Sequence, residues 1–194
     1  MTTIEPRPRV SSFAELLDVA LTLFARDGFA ATSLQHIADA AGYSKSSVLY
    51  HFSSKEAVLD AALTPAIASL EELVSNFERL AQHERKLGID DIEGFVDYLL
   101  QFRREAAILL IQAPSLSTLP IIVRSNHALS RLIAALVSAN SRIEGQLRIG
   151  LGLSGAAFMM AAGPSYTSTP LTQPDDEVRS ALISILADLF RMEP

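Results

Sequence analysis

The sequence of 194 residues contains no cysteine, which excludes a disulfide framework and thiolate chemistry. Residues 1–12 hold no apolar run of the signal-peptide type, so we expect a cytoplasmic protein. The most apolar stretch, residues 149–163, contains Ser154 and several glycines and is shorter than the roughly 20 residues that a bilayer-spanning helix needs. We therefore expect a soluble protein with no membrane partner.

The sequence also lacks several motifs of enzymes and metal sites. It contains no P-loop, no Gly-x-Ser-x-Gly nucleophile elbow and no His-Glu-x-x-His zinc motif. Its four histidines are scattered without the spacing of metal ligands, at His36, His51, His83 and His127. We therefore predict that the protein is not an enzyme and that it uses no metal or other cofactor.

Acidic residues are missing from one segment of an otherwise acidic chain. The net charge is −6, yet no Asp or Glu lies between Asp39 and Glu56. The overall acidity argues against a general polyanion-binding protein, so any contact with nucleic acid must come from the local placement of charge. The acid-free segment is the candidate, because it combines serines, lysines, tyrosines and a histidine.

Helix start and stop signals divide the N-terminal region into short helices. Capping boxes of the form Ser/Thr-x-x-Glu/Gln begin at Ser12, Thr32 and Ser53. Gly28 and Gly42 follow the first two apolar periodic runs and are typical of helix ends. These signals predict two short helices, and the third box predicts the start of a long one.

A turn at Gly42 joins the second helix to a short third helix, which Ser44 can cap. The residues of this third helix that we expect to point inward are Val48, Leu49 and Phe52. Two helices joined in this way form a helix-turn-helix, whose second helix enters the DNA major groove by its N-terminal end. The pattern therefore predicts a DNA-binding domain.

The outer face of the third helix carries short hydroxyl side chains, cations and tyrosines, which suit contacts with bases and phosphates. We predict that Tyr50, His51 and Lys55 contact phosphates. Backbone N–H groups at the helix starts suit phosphates as well. The complete predicted set of DNA-binding residues is Thr32, Ser33, Tyr43, Ser44, Lys45, Ser46, Ser47, Tyr50, His51 and Lys55. In the alternative interpretation, the aromatic residues only pack and the lysines and serines are ordinary surface residues.

The run FARDGFAATSLQHIADAAGYSKSSVLYHFSSKEAVLDAAL, residues 24–63, resembles the N-terminal domain of TetR-type transcriptional regulators. It contains the patterns G-F-x-x-T-S-L before the second helix, I-A-x-x-A-G at its end and L-Y-H-F-x-S-K-E after the turn. Tyr43 stands where the family often has a small aliphatic residue, and Val58 stands where leucine is frequent. The resemblance implies that the C-terminal part binds a small effector and forms a homodimer.

The chain after residue 54 reads as a helical bundle. We predict an all-α protein of about nine helices, with a DNA-binding domain at residues 1–53 and an effector-binding and dimerisation domain at residues 54–194. Pro65 lies inside the long fourth helix, where we expect a kink between the domains.

The predicted effector site centres on Arg103, which a helical wheel places within an apolar face. A buried guanidinium needs an anionic partner, so we predict that it fixes an acidic group of a largely apolar ligand. The predicted lining of the pocket is Phe77, Phe95, Phe102, Phe158, Met159 and Tyr166. The alternative is an internal ion pair with a glutamate such as Glu144.

The predicted dimer interface uses the last two helices. The eighth helix is rich in glycine, although each glycine costs up to about 1 kcal/mol against alanine in a helix, so a close approach of another helix is expected. The ninth helix carries apolar residues at coiled-coil-like steps of four and three. The predicted interface residues are Gly152, Ala156, Val178, Leu182, Ile185 and Leu189.

These observations, with the resemblance, favour a homodimeric transcriptional repressor that binds a pseudo-palindromic operator and is released by a small, largely apolar effector. The alternative is a helical small-molecule or lipid carrier whose N-terminal helices only pack. A carrier would bind ligand without sequence-specific binding of DNA.

Overall fold

The computed structural model describes residues 12–83, 87–138, 142–166 and 175–190, with the backbone only for residues 162–166. Over these ranges the chain is helical and contains no strand, which confirms the predicted all-α fold. The helices are α1 (Ser12–Asp27), α2 (Leu34–Ala41), α3 (Lys45–His51), α4 (Lys55–Gln82), α5 (Ile89–Gln101), α6 (Arg103–Ala107), α7 (Pro120–Ser138), α8 (Ile143–Tyr166) and α9 (Asp175–Phe190). A π-helical stretch (Ile108–Gln112) and a short 3₁₀ helix (Ala113–Leu116) connect α6 to α7.

The chain forms two compact units that divide between Ala62 and Leu63. The division lies inside α4, whereas the boundary predicted from the sequence, between residues 53 and 54, precedes this helix. α4 is continuous through Pro65, which is exposed. Among the described residues no single helix is long and apolar enough to cross a membrane; one pair bent by 113°, Arg103–Leu116 with Pro120–Ser138, meets that test by length and composition only.

The first unit is a three-helix arrangement closed by the start of α4. Its core consists of fully buried apolar residues from each of the first three helices together with Phe52, and includes Leu16, Ala20, Phe24, Ile37, Ala38 and Val48. Both glycine stop signals are confirmed, because Gly28 and Gly42 adopt the left-handed φ values of 88° and 74°. Leu49 was predicted to point inward but is half-exposed, since Val48 and Phe52, four residues apart, take the inward face of so short a helix.

The starts of α2 and α4 lie one residue later than their capping boxes predict. Ser33, not Thr32, caps α2, and its Oγ accepts the His36 N–H at 3.1 Å. Ser54 likewise accepts the Ala57 N–H at 3.1 Å at the start of α4. The Thr32 hydroxyl donates to the Gly28 carbonyl at 2.9 Å.

The second unit has one hydrophobic core, to which α4, α5, α7, α8 and α9 all contribute. Arg124 and Arg131 of α7 add paired hydrogen bonds to the α4 carboxylates of Glu71 and Glu78, with N–O distances of 2.6 to 2.9 Å. These hydrogen bonds lower the pKa values of both carboxyl groups. Exposed ion pairs contribute only about 0–1 kcal/mol each, so they orient α7 on α4 while the apolar core provides the stability.

The glycines of α8 have different surroundings. A Cβ atom at Gly152 would lie 2.7 Å from Phe190 and 2.8 Å from Leu189, both in α9 of the same chain. A Cβ atom at Gly150 or Gly155 would have nothing within 4 Å. Gly152 therefore allows α8 and α9 to pack closely within one chain, whereas its small size was predicted to serve a contact with a second chain.

The same three glycines have the Gly-x-Gly-x-x-Gly spacing of a dinucleotide-binding fingerprint. That fingerprint works at a turn between a strand and a helix, where backbone N–H groups face a pyrophosphate. Here the three glycines lie in the interior of α8, where those N–H groups are used by the helix itself. The spacing is therefore no sign of a nucleotide site.

The close packing of α8 on α9 predicts that Gly152→Leu lowers the free energy of unfolding by about 1–3 kcal/mol, because the added side chain overpacks the contact. Gly150→Ala is the control, because the added methyl group meets nothing and alanine favours the helix by up to about 1 kcal/mol. Thermal denaturation followed by circular dichroism should rank Gly150→Ala at or above the parent and Gly152→Leu below it. Equal stability of the two variants would contradict the packing role of Gly152.

Candidate nucleic-acid interface

The outward face of α3 is the most exposed polar surface that the acid-free segment forms. Lys45 and Ser46 are exposed, and Tyr50 is 85% exposed although it is aromatic. Burial of Val48 on the opposite side fixes which face of the helix points outward. Tyr50 is therefore a surface residue, and the alternative interpretation, in which it serves only as a packing residue, is wrong.

A surface depression of about 410 Å³ runs along this face. Its lining combines five of the predicted DNA-binding residues with one from α1, and consists of Ser12, Tyr43, Ser46, Ser47, Tyr50 and His51. Sequence reasoning missed Ser12 as part of this surface, because its position at the start of a helix was explained by capping. The structure thus brings together side chains from the start of α1, the turn and α3.

The Ser44 side chain holds the start of α3. Its Oγ accepts the Ser47 N–H at 3.1 Å and lies 2.8 Å from the Ser47 Oγ. Ser44 is thus the cap that the sequence predicts for this helix. Because Ser44 and Ser47 are hydrogen-bonded to each other, Ser46 is the serine of this helix best placed for an outside partner.

The first turn of α1 contacts α3 at both ends. At the C-terminal end, the Ser12 Oγ lies 3.2 Å from the His51 Nε2, and the Phe13 ring stacks on Phe52 at 5.0 Å between centroids. At the N-terminal end, the Tyr43 hydroxyl donates to the Glu15 Oε2 at 2.7 Å. This hydrogen bond raises the pKa of the Tyr43 phenol.

Two of the residues predicted to contact DNA make hydrogen bonds within the protein. The Lys55 Nζ donates to the carbonyls of Phe29 and Thr32, at 2.6 and 2.8 Å, and lies 4.2 Å from the centroid of the Phe29 ring. The Thr32 side chain is only 1% exposed. Lys55 therefore connects the start of α4 to the loop before α2. Ser33, which follows Thr32 in the sequence, is exposed.

The predicted effector residues separate into two groups. Phe77, Phe95 and Phe102 lie buried in the core of the second unit. Phe158 is 47% exposed and Met159 is similarly exposed, so both point away from that core. The side chain of Tyr166 lies outside the described residues.

Arg103 pairs with an acidic residue, as the alternative interpretation expected, but with a different one. Its NH2 group donates to the Asp175 Oδ1 at 2.9 Å, whereas Glu144 pairs with Arg148 of its own helix. The helical wheel misplaced Arg103 because α5 ends at Gln101 and the next residue, Phe102, has non-helical φ and ψ values of −114° and 38°, so the periodicity does not continue. The side chain is half-buried at the edge of the unit.

An apolar surface lies on the outer sides of α8 and α9. Leu151 is 70% exposed and Ile185 is 60% exposed. A groove of about 550 Å³ runs between these two helices, and Gly155 and Met159 are part of its wall. Of the predicted interface residues, Ile185 lies on this surface, Leu182 and Leu189 line the groove half-buried, and Ala156 and Val178 lie buried in the groove floor. We call the exposed set Leu147, Leu151, Gly155, Phe158, Met159 and Ile185 the open face.

The described residues contain no group of three or more histidine, aspartate or glutamate side chains that could hold a metal ion. The lining of the surface depression offers hydroxyl groups, an imidazole and aromatic rings. Such groups bind base edges and phosphates without a metal.

Residues 16–62 match the family model described as bacterial regulatory proteins, tetR family. A segment of 49 residues is 53% identical to the HTH-type transcriptional repressor KstR2 of Rhodococcus jostii, and covers 25% of this chain and 24% of that protein. The match thus spans about a quarter of the curated relative's length.

Two solved structures resemble this chain over nearly its whole length. The ketosteroid transcriptional regulator KstR2 of Mycobacterium tuberculosis has a TM-score of 0.65 at 18% identity and aligns over 93% of this chain and 95% of its own. A TetR-family transcriptional regulator from Bordetella parapertussis has a TM-score of 0.63 at 20% identity, over 93% and 96% of the two chains. At these identities the likeness establishes the fold.

The contacts of Lys55 predict that Lys55→Ala loosens the loop before α2, because the carbonyls of Phe29 and Thr32 lose their charged donor. A hydrogen bond to a charged group contributes about 1.5–3 kcal/mol to stability. Amide hydrogen exchange of α2 should become faster. The matched control is Lys45→Ala, which removes the same charge from an exposed position and should leave this exchange unchanged. Similar protection of α2 in both variants would show that the Lys55 contacts do not hold the loop.

Proposed function

We propose that the chain, whose residues 16–62 match the tetR family model, is a sequence-specific DNA-binding regulator of transcription. The observation that carries this proposal is the outward face of α3, which presents Lys45, Ser46 and Tyr50 on a helix that Ser44 caps and buried Val48 anchors. The N-terminal end of α3 enters the major groove, where hydroxyl and amine groups distinguish bases. Tyr50 and His51, further along the helix, contact the sugar-phosphate backbone.

We further infer that it acts as a repressor. Support comes from the curated relative, which is named a transcriptional repressor and shares about half of its residues with this chain over the matched segment. A repressor needs only tight binding at its operator, and the outward face of α3 provides side chains that can bind DNA. We call the outward side chains of the turn and of α3, namely Tyr43, Lys45, Ser46, Tyr50 and His51, the reading surface. In this proposal Lys55 and Thr32 support the reading surface from within the protein and do not contact DNA.

The proposed regulator is a homodimer that joins two chains through the open face. A single α3 reads only one half-site, and two-fold symmetry gives the pseudo-palindromic operator expected of such proteins. The open face suits a second copy because it is apolar and largely exposed at Leu147, Leu151 and Ile185. Gly155, which has free space above it, lets the partner helix approach closely.

The proposed effector is a small, largely apolar compound that binds within the second unit. The region around Phe77, Phe95 and Phe102 is aromatic and apolar, as such a ligand requires. One structural relative is named a ketosteroid regulator, which agrees with an apolar compound. Phe77 lies in α4, the helix shared by both units, so a ligand that displaces it favours a state with weaker DNA binding, with a coupling of about 1–3 kcal/mol.

DNA binding is tested with fragments from the region upstream of the protein's own gene, by fluorescence anisotropy against unrelated DNA. Specific binding should be tighter by a factor of at least about a thousand. Ser46→Ala should reduce the preference at one base position by about 1–3 kcal/mol, whereas Ser130→Ala, on α7, should not. Ligand binding without any sequence preference for DNA would instead support a helical carrier.

The dimer is tested with Leu151→Glu, which places a charge in the centre of the open face. Sedimentation should show separated chains and operator affinity should fall steeply, because each chain then binds one half-site alone. Val123→Glu is the control, since Val123 is an exposed apolar residue of α7 outside the open face. An unchanged dimer in Leu151→Glu would place the interface on another surface.

The effector is sought by thermal-shift screening of steroids, fatty acids and their neutral esters with the full chain. A ligand that raises the melting temperature should also release the operator at the same concentration. Compounds that stabilise the protein but leave DNA binding unchanged would contradict the regulatory role of that site.

A further inference from the structure

The Tyr43 hydroxyl has one proton, and the hydrogen bond to Glu15 uses it. The phenol oxygen lies 2.7 Å from the Glu15 Oε2. A carboxylate can only accept hydrogen bonds, so the shared proton must come from the tyrosine. The raised pKa of Tyr43 agrees with a phenol that keeps this proton.

Tyr43 is placed where a base can be read. It lies between Gly42, which ends α2, and Ser44, which caps α3, at the end of the helix that enters the groove. It also lines the surface depression beside Ser46 and Tyr50. Its oxygen therefore has lone pairs left for a partner outside the protein.

We propose that Glu15 makes Tyr43 a hydrogen-bond acceptor toward DNA, so that Tyr43 selects a base whose major-groove edge carries an amino group. This inference rests on the proposed DNA-binding function and deepens it. Tyr43 is the specificity-determining residue and Glu15 is its positioning residue.

Only two bases offer a donor in the major groove. Adenine presents its N6 amino group and cytosine its N4 amino group, while guanine presents two acceptors and thymine one acceptor and a methyl group. An oxygen whose proton is already used repels the acceptors of guanine and thymine. Tyr43 therefore favours adenine or cytosine at one position of each half-site.

The same reasoning excludes a phosphate as the partner of Tyr43. Phosphate oxygens are acceptors only, and Glu15 adds a negative charge beside the phenol. Tyr50 differs in this respect, because it is 85% exposed and stands further along α3. The two tyrosines of this surface thus have separate targets, Tyr43 a base and Tyr50 the backbone.

The test is selection of half-sites from randomised DNA by the full chain and by two variants. The parent should select adenine or cytosine at one position, and Tyr43→Phe should lose this preference by about 3- to 10-fold while keeping the other positions. Glu15→Gln leaves the phenol in place but can donate to its oxygen, which frees the phenol proton. Its preference at that position should shift toward guanine or thymine.

Asp18→Asn is the control for loss of charge, since it removes an acidic group from the same helix and should keep the selection of the parent. Circular dichroism and melting temperature show that each variant is folded. A uniform loss of affinity for all sequences in Tyr43→Phe, or an unchanged preference in Glu15→Gln, would overturn the inference and leave the proposed function standing. If the parent selects no sequence at all, the proposed function fails first.

Discussion

The reading surface depends on the burial of two side chains, Val48 and Phe52, beneath a helix of only seven residues. A helix this short does not persist alone in water, because nucleation costs more than its few hydrogen bonds return. Its shape is imposed by the core below it and by the Ser44 cap at its start. Every outward side chain of α3 takes its direction from this packing.

The contacts of α1 add a second level of constraint. Phe13 stacks on Phe52, and Glu15 holds the turn residue Tyr43, so the first turn of α1 supports α3 at both of its ends. Lys55 acts in the same way on the loop that leads into α2. Charged residues of this unit are thus used partly to fix its own backbone, and fewer of them remain for DNA than a count of charges suggests.

The sequence was sufficient for the features that are encoded locally. Glycine at a helix end and an acid-free polar segment between apolar runs predicted the helix-turn-helix, and the family match over residues 16–62 confirms the resemblance. Contacts between distant residues were less accessible. The Nζ atom of Lys55 donates to two carbonyls that lie 26 and 23 residues earlier in the sequence, and no sequence pattern indicates these contacts.

Other predictions differed from the structure where they assumed that a helix continues with unbroken periodicity. The wheel that placed Arg103 among apolar residues assumed one helix, but the backbone changes direction at Phe102. Phe158 and Met159 look like pocket residues by type, yet their exposure depends on which side of α8 meets α9. Gly152 shows the same limit, since spacing reveals a close approach but not which helix makes it.

The packing of α9 on α5 has a consequence for the order of folding. Arg179 and Asp97, which bond at 2.6 Å, are 82 residues apart, so α5 cannot complete its packing until the ribosome has made α9. The contacts of the first unit are far more local, which favours faster folding. During synthesis the contacts of the first unit can therefore form while the second unit is still incomplete.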